Sequence, residues 1–170
     1  MTTAEQAAIA SRDRFAAALE HESQATLRVL KALPADRLAY KPHEKSWDMG
    51  KLAWHTAVTE EWFVKSIAAG SFGGEDNTPA NLTHGDIVSY YEKAVPKNIA
   101  ALKAMDAATL ARVVDFFGVA KMPAVEFMSW CVSHTIHHRG QLTVYIRLTG
   151  GKVPSVYGPS ADDNPFVPPQ

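Results

Sequence analysis

The sequence has almost no cysteine and no long run of apolar residues. Cys131 is the only cysteine among 170 residues, so no disulfide can form within the chain. No stretch of about 18 consecutive apolar residues occurs, which excludes a membrane-spanning helix. The first residues mix alanine with charges of both signs and lack the apolar core of a secretory signal. We therefore expect a cytoplasmic protein.

The sequence also lacks an excess of charge of either sign. Lys and Arg total 17 and Asp and Glu total 18, which gives a net charge of -1 at pH 7. A protein that binds nucleic acid or an anionic membrane through bulk electrostatics needs a basic surface. We expect neither a nucleic-acid partner nor a membrane partner. The length and the 46% of hydrophobic residues fit a single domain over residues 1–170.

Two common sequence signatures of phosphate and zinc binding are absent. The glycine-rich stretch at residues 70–76 lacks the lysine and the Ser or Thr of a phosphate-binding loop, and it follows a predicted helix instead of a strand. A single cysteine excludes a structural zinc finger. Any chemistry of this chain must therefore come from other residue types.

Four long segments have the composition and the apolar periodicity of helices. The predicted helices are residues 3–33, 47–69, 83–105 and 123–149. Pro34 ends the first helix and Gly70 ends the second. We predict Ser46 as the N-cap of the second helix. Thr83 and Asp86 have the spacing of a capping box at the start of the third helix.

The remaining segments are short or rich in proline and glycine. Residues 110–117 are β-branched and short, so they fit either a strand-like connector or a short helix. Residues 70–82 form a polar loop. The tail at residues 151–170 holds five of the ten prolines, and its apolar side chains predict an extended strap packed on the domain. Long helices with short connections predict an all-α, up-down four-helix bundle with this C-terminal strap.

The candidate chemistry lies in three histidines. His134 and His138 are four residues apart, the spacing by which a helix offers two nitrogens to one metal ion. His55 lies on the predicted inward face of the second helix, between Leu52 and Trp62. Three inward histidines on two helices could converge on an ion. Histidines hydrogen-bonded within the core are the alternative, and spacing alone does not decide between the two interpretations.

Three nearby residues have plainer interpretations. Cys131, one turn before the histidine pair, fits a small buried apolar residue better than a ligand. His137 is rotated by about 100° from its neighbour, which predicts a position at the edge of the bundle or on its surface. Glu60 follows His55 by five residues and is rotated from it by about 140°. We expect a solvated carboxylate there.

Two separate segments together carry a family resemblance. They are SWDMGKLAWH at residues 46–55 and SHTIHHRGQL at residues 133–142, followed by LTGGKVP at residues 148–154 and the tail to residue 163. The H-x-x-x-H-R-G-Q pattern is the most specific part. The combination resembles the DinB-like superfamily of metal-binding four-helix bundles, which is unrelated to the DNA polymerase of that name. The resemblance spans nearly the whole chain.

The resemblance implies a metal site and an activity. In that superfamily one histidine of the second helix and the pair of the last long helix bind a divalent metal, and the matching positions are His55, His134 and His138. Imidazoles suit Zn, Ni, Fe or Co, and three of them leave a coordination position open. Characterised relatives include thiol-dependent enzymes. The resemblance thus implies a thiol transferase-like enzyme or a related hydrolase that activates a low-molecular-weight thiol or water.

The resemblance also implies partners. It implies a homodimer acting on a small-molecule substrate, with the loop at residues 70–82 and the strap bordering the mouth of the site. A carboxylate of the thiol could bind Arg139, Arg147 or Lys152. Two other hypotheses stay open: a non-catalytic stress-response or binding protein stabilised by metal, and a metal-free bundle whose histidines are satisfied by hydrogen bonds.

Overall fold

The computed structural model describes residues 1–74 and 78–167, and most of them are helical. In chain order the elements are α1 (Thr3–Lys31), α2 (Met49–Ala69), α3 (His84–Ala104), α4 (Ala107–Ala111), β1 (Val113–Phe116), β2 (Ala120–Pro123) and α5 (Phe127–Leu148). The all-α class is confirmed. None of the helices in these two ranges is long and apolar enough to cross a membrane.

Local side chains explain where α2 ends and α3 begins. Thr83 accepts a hydrogen bond from the backbone N–H of Asp86, and the Asp86 carboxylate accepts one from the backbone N–H of Thr83. The predicted capping box is therefore confirmed. Gly70 ends α2 in the left-handed conformation with φ 77°. The Arg112 guanidinium donates to the carbonyl of Ile67 over 3.1 Å and so satisfies an unpaired group of the last turn.

The start of α2 was predicted wrongly. Asp48, not Ser46, is the N-cap, and its carboxylate accepts a hydrogen bond of 2.8 Å from the backbone N–H of Lys51. Both residue types are good caps, so the sequence alone did not separate them. As a result, Trp47 precedes the helix instead of lying in its first turn.

The connection before α5 is a β-hairpin. β1 and β2 are antiparallel, with Val113 opposite Pro123 and Phe116 opposite Ala120. Residues 110–117 therefore contain the end of α4 and all of β1, which resolves the two alternatives in favour of a strand. The last helix was expected to begin near Pro123, and a 3-10 turn at Ala124–Glu126 leads directly into α5 at Phe127.

The long helices pack in pairs and place the site between α2 and α5. α1 contacts α3 and α5, and α2 contacts the same two helices. One apolar cluster includes Phe15, Phe63 and Phe127, and a second includes Leu30 and Leu142. Each such side chain contributes roughly 1.5–3 kcal/mol when it is fully buried. The two clusters fix the relative position of α2 and α5.

The described tail residues lie against α1 and α5 without forming a helix or strand. Arg28 of α1 donates to the carbonyl of Ser155 over 3.2 Å. Arg147 of α5 lies 2.6 Å from the carboxylate of Asp162. Parts of the predicted loop at 70–82 and of the predicted strap at 151–170 fall outside the described residues.

Candidate metal centre

Three imidazoles from two helices meet at the interface of α2 and α5. The Nε2 atoms of His55 and His134 are 3.0 Å apart, and those of His138 and His134 are also 3.0 Å apart. One nitrogen from each ring lies within 4.8 Å of the other two. His134 and His138 reach the same point because they are one turn apart on α5. These three half-buried side chains could hold a metal ion.

Gln141 fixes the orientation of one of these rings. His138 Nδ1 lies 2.7 Å from Gln141 Oε1, one turn further along α5. With the amide oxygen facing the ring, Nδ1 carries the proton and donates it, which leaves a lone pair on Nε2. Gln141 is itself exposed. A hydrogen bond to the far nitrogen is the usual way in which a metal-binding histidine is oriented.

Hydrogen bonds between the rings cannot satisfy all three nitrogens. His134 Nε2 faces the Nε2 atoms of both His55 and His138. A neutral imidazole has one N–H, so a proton on His134 Nε2 can be directed at only one of them. His134 Nδ1 is buried and has no hydrogen-bond partner among the described residues. A cation bound by three lone pairs removes the conflict, so the donor set fits a metal better than a hydrogen-bonded cluster.

Protonation of the cluster is also unfavourable. Burial, followed by the neighbouring His138 and His55 rings, lowers the pKa of His134 to about 3. Burial lowers the pKa of His138 as well, against an opposing hydrogen bond to Gln141. Both rings are therefore neutral at pH 7, the state in which a histidine can bind a metal.

Trp47 covers one side of the centre, a role that the sequence analysis missed. Its ring stacks on His138 with centroids 6.4 Å apart and contacts His55 edge-on at 5.0 Å. The Lys51 amine lies 5.0 Å from the centre of the indole. Its place in the SWD segment, directly before the Asp48 cap, was the available signal.

A cavity of about 560 Å³ adjoins the centre, and His55 and His134 form part of its wall. α2 supplies most of the lining. Tyr90 comes from α3, Phe116 comes from β1, and Gly74 comes from the start of the loop after α2. The described tail residues are not part of the lining. The expectation that the strap borders this mouth was therefore wrong, whereas Gly74 of the loop does line it.

Glu60 was predicted to be solvated and is instead buried, with 2% of its surface exposed. Burial raises its pKa to about 7, and a 3.4 Å hydrogen bond from Asn98 of α3 opposes this rise. α2 packs against both α3 and α5, so its buried arc is wider than the single stripe through His55. The small or apolar residues Ala53, Ala57 and Val64, at helical spacing around Glu60, were the signal for this second stripe.

Two neighbours of the histidines have the predicted environments. Cys131 is fully buried, burial raises the pKa of its thiol well above the usual value, and it does not belong to the group of three converging histidines. His137 is exposed, and it lies outside the group of three histidines although its ring is 5.0 Å from that of His138.

Arg139 does not have the accessibility of a ligand-binding residue. It is 2% exposed, and its guanidinium lies 2.7 Å from the carboxylate of Glu22. It also donates to Thr26 over 3.2 Å and to the hydroxyl of Tyr157. The expectation that it could hold a carboxylate of a thiol was wrong, because a carboxylate of the chain already occupies it.

The family model that matches the chain is described as the DinB family, and the match covers residues 3–165. The chain belongs to the DinB family. The uncharacterized protein YrdA of Bacillus subtilis is 28% identical over 152 residues, which span 89% of this chain and 90% of that protein. The uncharacterized protein YjoA of the same organism is 27% identical over 128 residues, which span 74% of this chain and 82% of YjoA.

Solved structures of similar proteins agree with this membership. The crystal structure of a DinB-like protein from Bacillus cereus matches with a TM-score of 0.70 and 30% identity, over 84% of this chain and 95% of that one. The crystal structure of YjoA matches with a TM-score of 0.66 and 22% identity, over 81% of this chain and 92% of that one. The DinB-like fold of the chain is thereby shown.

Proposed function

We propose that the chain is a metal-dependent, thiol transferase-like enzyme. The sulfur of a low-molecular-weight thiol would bond to an electrophilic carbon while the leaving group departs with its electron pair and the thiol proton passes to solvent. The supporting observation is the convergence of three imidazoles, two of which form part of the wall of an open cavity. A divalent ion, Zn, Ni or Fe, held by His55, His134 and His138 would lower the pKa of a bound thiol or water.

The surroundings of His134 and His138 keep one ring neutral and orient the other for metal binding. Burial keeps His134 neutral at physiological pH, so that its lone pair is available without the loss of a proton. Gln141 holds the His138 ring with Nε2 directed inward. Trp47 restricts water where it packs on His138, while the cavity leaves His55 and His134 accessible to a substrate.

Several finer features are part of the same proposal. The four long helices would follow an up-down order within a single domain of residues 1–170, with residues 151–170 as a strap. The pairwise packing of the helices and the bond from Arg28 to the tail support this arrangement. A homodimer in the cytoplasm, with a small-molecule substrate and without nucleic-acid or membrane partners, stays a prediction from the sequence.

Elemental analysis of protein purified without an affinity tag tests the metal site. We expect about one divalent ion per chain, lost in His55→Ala, His134→Ala and His138→Ala. His137→Ala is the matched control, because this exposed histidine neighbours the centre without belonging to it. The loaded protein is then assayed for the addition of thiols to electrophiles.

The other hypotheses predict different outcomes of the same experiment. A non-catalytic metal-stabilised protein would bind the ion, unfold when it is chelated, and catalyse no reaction of thiols. Absence of stoichiometric metal in the wild-type protein, even after reconstitution, would contradict the proposed function.

A further inference from the structure

The cavity beside the histidines has aromatic walls. Trp54 and Tyr90 form a ring pair with centroids 4.9 Å apart. Trp62, also in the lining, contacts Phe63 at 5.0 Å and Phe116 at 6.3 Å. Rings of three elements, α2, α3 and β1, thus surround one space. Such walls favour a planar ring that can contact them face-on or edge-on.

The position of one of these rings is fixed by hydrogen bonding. The indole N–H of Trp62 donates to the carbonyl of Gly73 over 2.6 Å. This bond satisfies the polar atom of Trp62 and leaves its carbon face for contact with a ligand. It also ties the start of the loop after α2 to the cavity wall, where the next residue, Gly74, is part of the lining.

Among the described residues that line the cavity, the charged groups Glu61 and Lys65 are paired with each other. Glu61 accepts hydrogen bonds from the Tyr90 hydroxyl and from the Lys65 amine. These hydrogen bonds lower the pKa of Glu61, so it is ionised at neutral pH, and the adjacent ammonium balances its charge. A ligand with a net charge therefore gains little here, whereas an uncharged ring gains contact with the walls.

The location and size of the cavity relate it directly to the histidines. His55 and His134 form part of its wall, so a molecule inside it lies next to their nitrogens. The volume of about 560 Å³ is typical of sites for small organic molecules. A compound with one or two rings can fill the aromatic part while its functional group faces the centre.

We propose that this cavity binds an uncharged aromatic small molecule, whose reactive or metal-binding group faces His55 and His134. This inference rests on the proposed function and names the substrate class of the same site. The aromatic compound is the electrophilic acceptor, because the walls offer little to a polar, charged thiol. The thiol would then reach the centre from outside the aromatic cavity.

Calorimetry with two zinc-binding probes of different size tests the inference. The protein is first titrated with zinc alone, and the loaded protein then with benzohydroxamate or acetohydroxamate. Both probes carry the same metal-binding group and differ in the phenyl ring. We expect benzohydroxamate to bind about 10-fold to 100-fold more tightly, because burial of the ring removes apolar surface from water.

Two variants assign this preference to the cavity. Trp54→Ala removes a wall and Val58→Trp fills the space, and each is expected to reduce the preference to within about 3-fold while zinc affinity is unchanged. Val144→Ala is the control, because Val144 is an exposed apolar side chain on α5 outside the cavity lining, and it should keep the preference. Equal affinities of the two probes for the wild-type protein would overturn the inference and leave the metal site intact.

A metal-free arm separates this inference from the proposed function. Benzamide and acetamide are added to the protein without metal, and the indole N–H resonances of Trp54 and Trp62 are followed by NMR. Shifts with benzamide alone support an aromatic site, even if no zinc binds and the proposed function fails. If no zinc binds, the absence of a shift with either amide overturns the inference.

Discussion

His138 and Arg139 are neighbours on α5, yet their polar groups are used in opposite ways. Arg139 contacts α1 and the tail, where Glu22, Thr26 and Tyr157 accept its hydrogen bonds. His138 contacts the His55 ring of α2, and its Nε2 faces that of His134 on α5, so nitrogen faces nitrogen and the protons cannot satisfy every atom. A buried polar group with a full set of partners is what a stable fold requires. Convergent lone pairs without enough protons indicate a site for a cation. The first region, around Arg139, therefore stabilises the fold, and the second region, around His138, is available for chemistry.

The largest effect on stability should follow from breaking the ion pair between Arg139 and Glu22. Arg139→Met keeps a similar volume but leaves the Glu22 carboxylate, 14% exposed, without its cation. Removal of one partner of a buried ion pair costs about 3–5 kcal/mol, so we expect a loss of this size in the free energy of unfolding by urea. Metal content per folded chain should stay unchanged.

The double variant Arg139→Met with Glu22→Gln provides the control. It removes the unpaired charge as well, so it should recover part of the lost stability. If Arg139→Met lowered metal content without lowering stability, the division of roles between the two regions would be wrong.

A second test concerns Glu60, a buried group with incomplete partners. Its pKa in the folded protein, about 7, lies above its ordinary value of 4.5. Between these pH values the folded protein binds a proton that the unfolded chain does not, so stability is full below pH 4.5 and falls as the pH rises to 7. Glu60→Gln should thus be more stable than the wild type by about 3 kcal/mol at pH 8 and nearly equal at pH 4.5.

Urea unfolding of the metal-free proteins between pH 4.5 and pH 8 measures this difference. Asn98→Ala is a useful companion, because it removes the hydrogen bond that opposes the rise in the pKa of Glu60. Parallel stability curves for Glu60→Gln and the wild type across this pH range would show that the carboxyl is not desolvated as the structure describes.

A third test weakens the histidine centre without removing a ligand. Gln141→Ala removes the acceptor of the His138 Nδ1 proton, so the ring can turn and change its tautomer. Loss of such a partner typically lowers metal affinity about 10-fold to 100-fold, which a competitive chelator titration measures. Gln24→Ala, an exposed glutamine on α1, is the control and should not change affinity. An unchanged affinity in Gln141→Ala would mean that packing alone orients His138.

Helical periodicity predicted the parts of this molecule that depend on one face of one helix. It placed His55, His134 and His138 on inward faces, and Thr83 and Gly70 at helix ends, because these features are set by residues within a turn of each other. It did not predict the β-hairpin, whose strands are stabilised by pairing with each other.

The environments of Glu60 and Arg139 were missed for a related reason. A polar residue is buried when groups on other helices partner it, and those groups are distant in sequence. Glu22 lies 117 residues before Arg139, and Asn98 lies 38 residues after Glu60. Single-sequence reasoning sees the charge but not the partner, so it assigned both residues to accessible positions.

The smallest effect should come from a second arginine–carboxylate pair on α5. Arg147 and Asp162 are 2.6 Å apart, as close as Arg139 and Glu22, but the arginine is 48% exposed. Water already solvates this pair and salt screens it, so Arg147→Ala should shift the thermal midpoint by less than an ordinary melt resolves. A loss of stability as large as that of Arg139→Met would mean that the tail stabilises the bundle through Asp162. Burial would then not explain why the ion pair of Arg139 stabilises the fold more than the ion pair of Arg147.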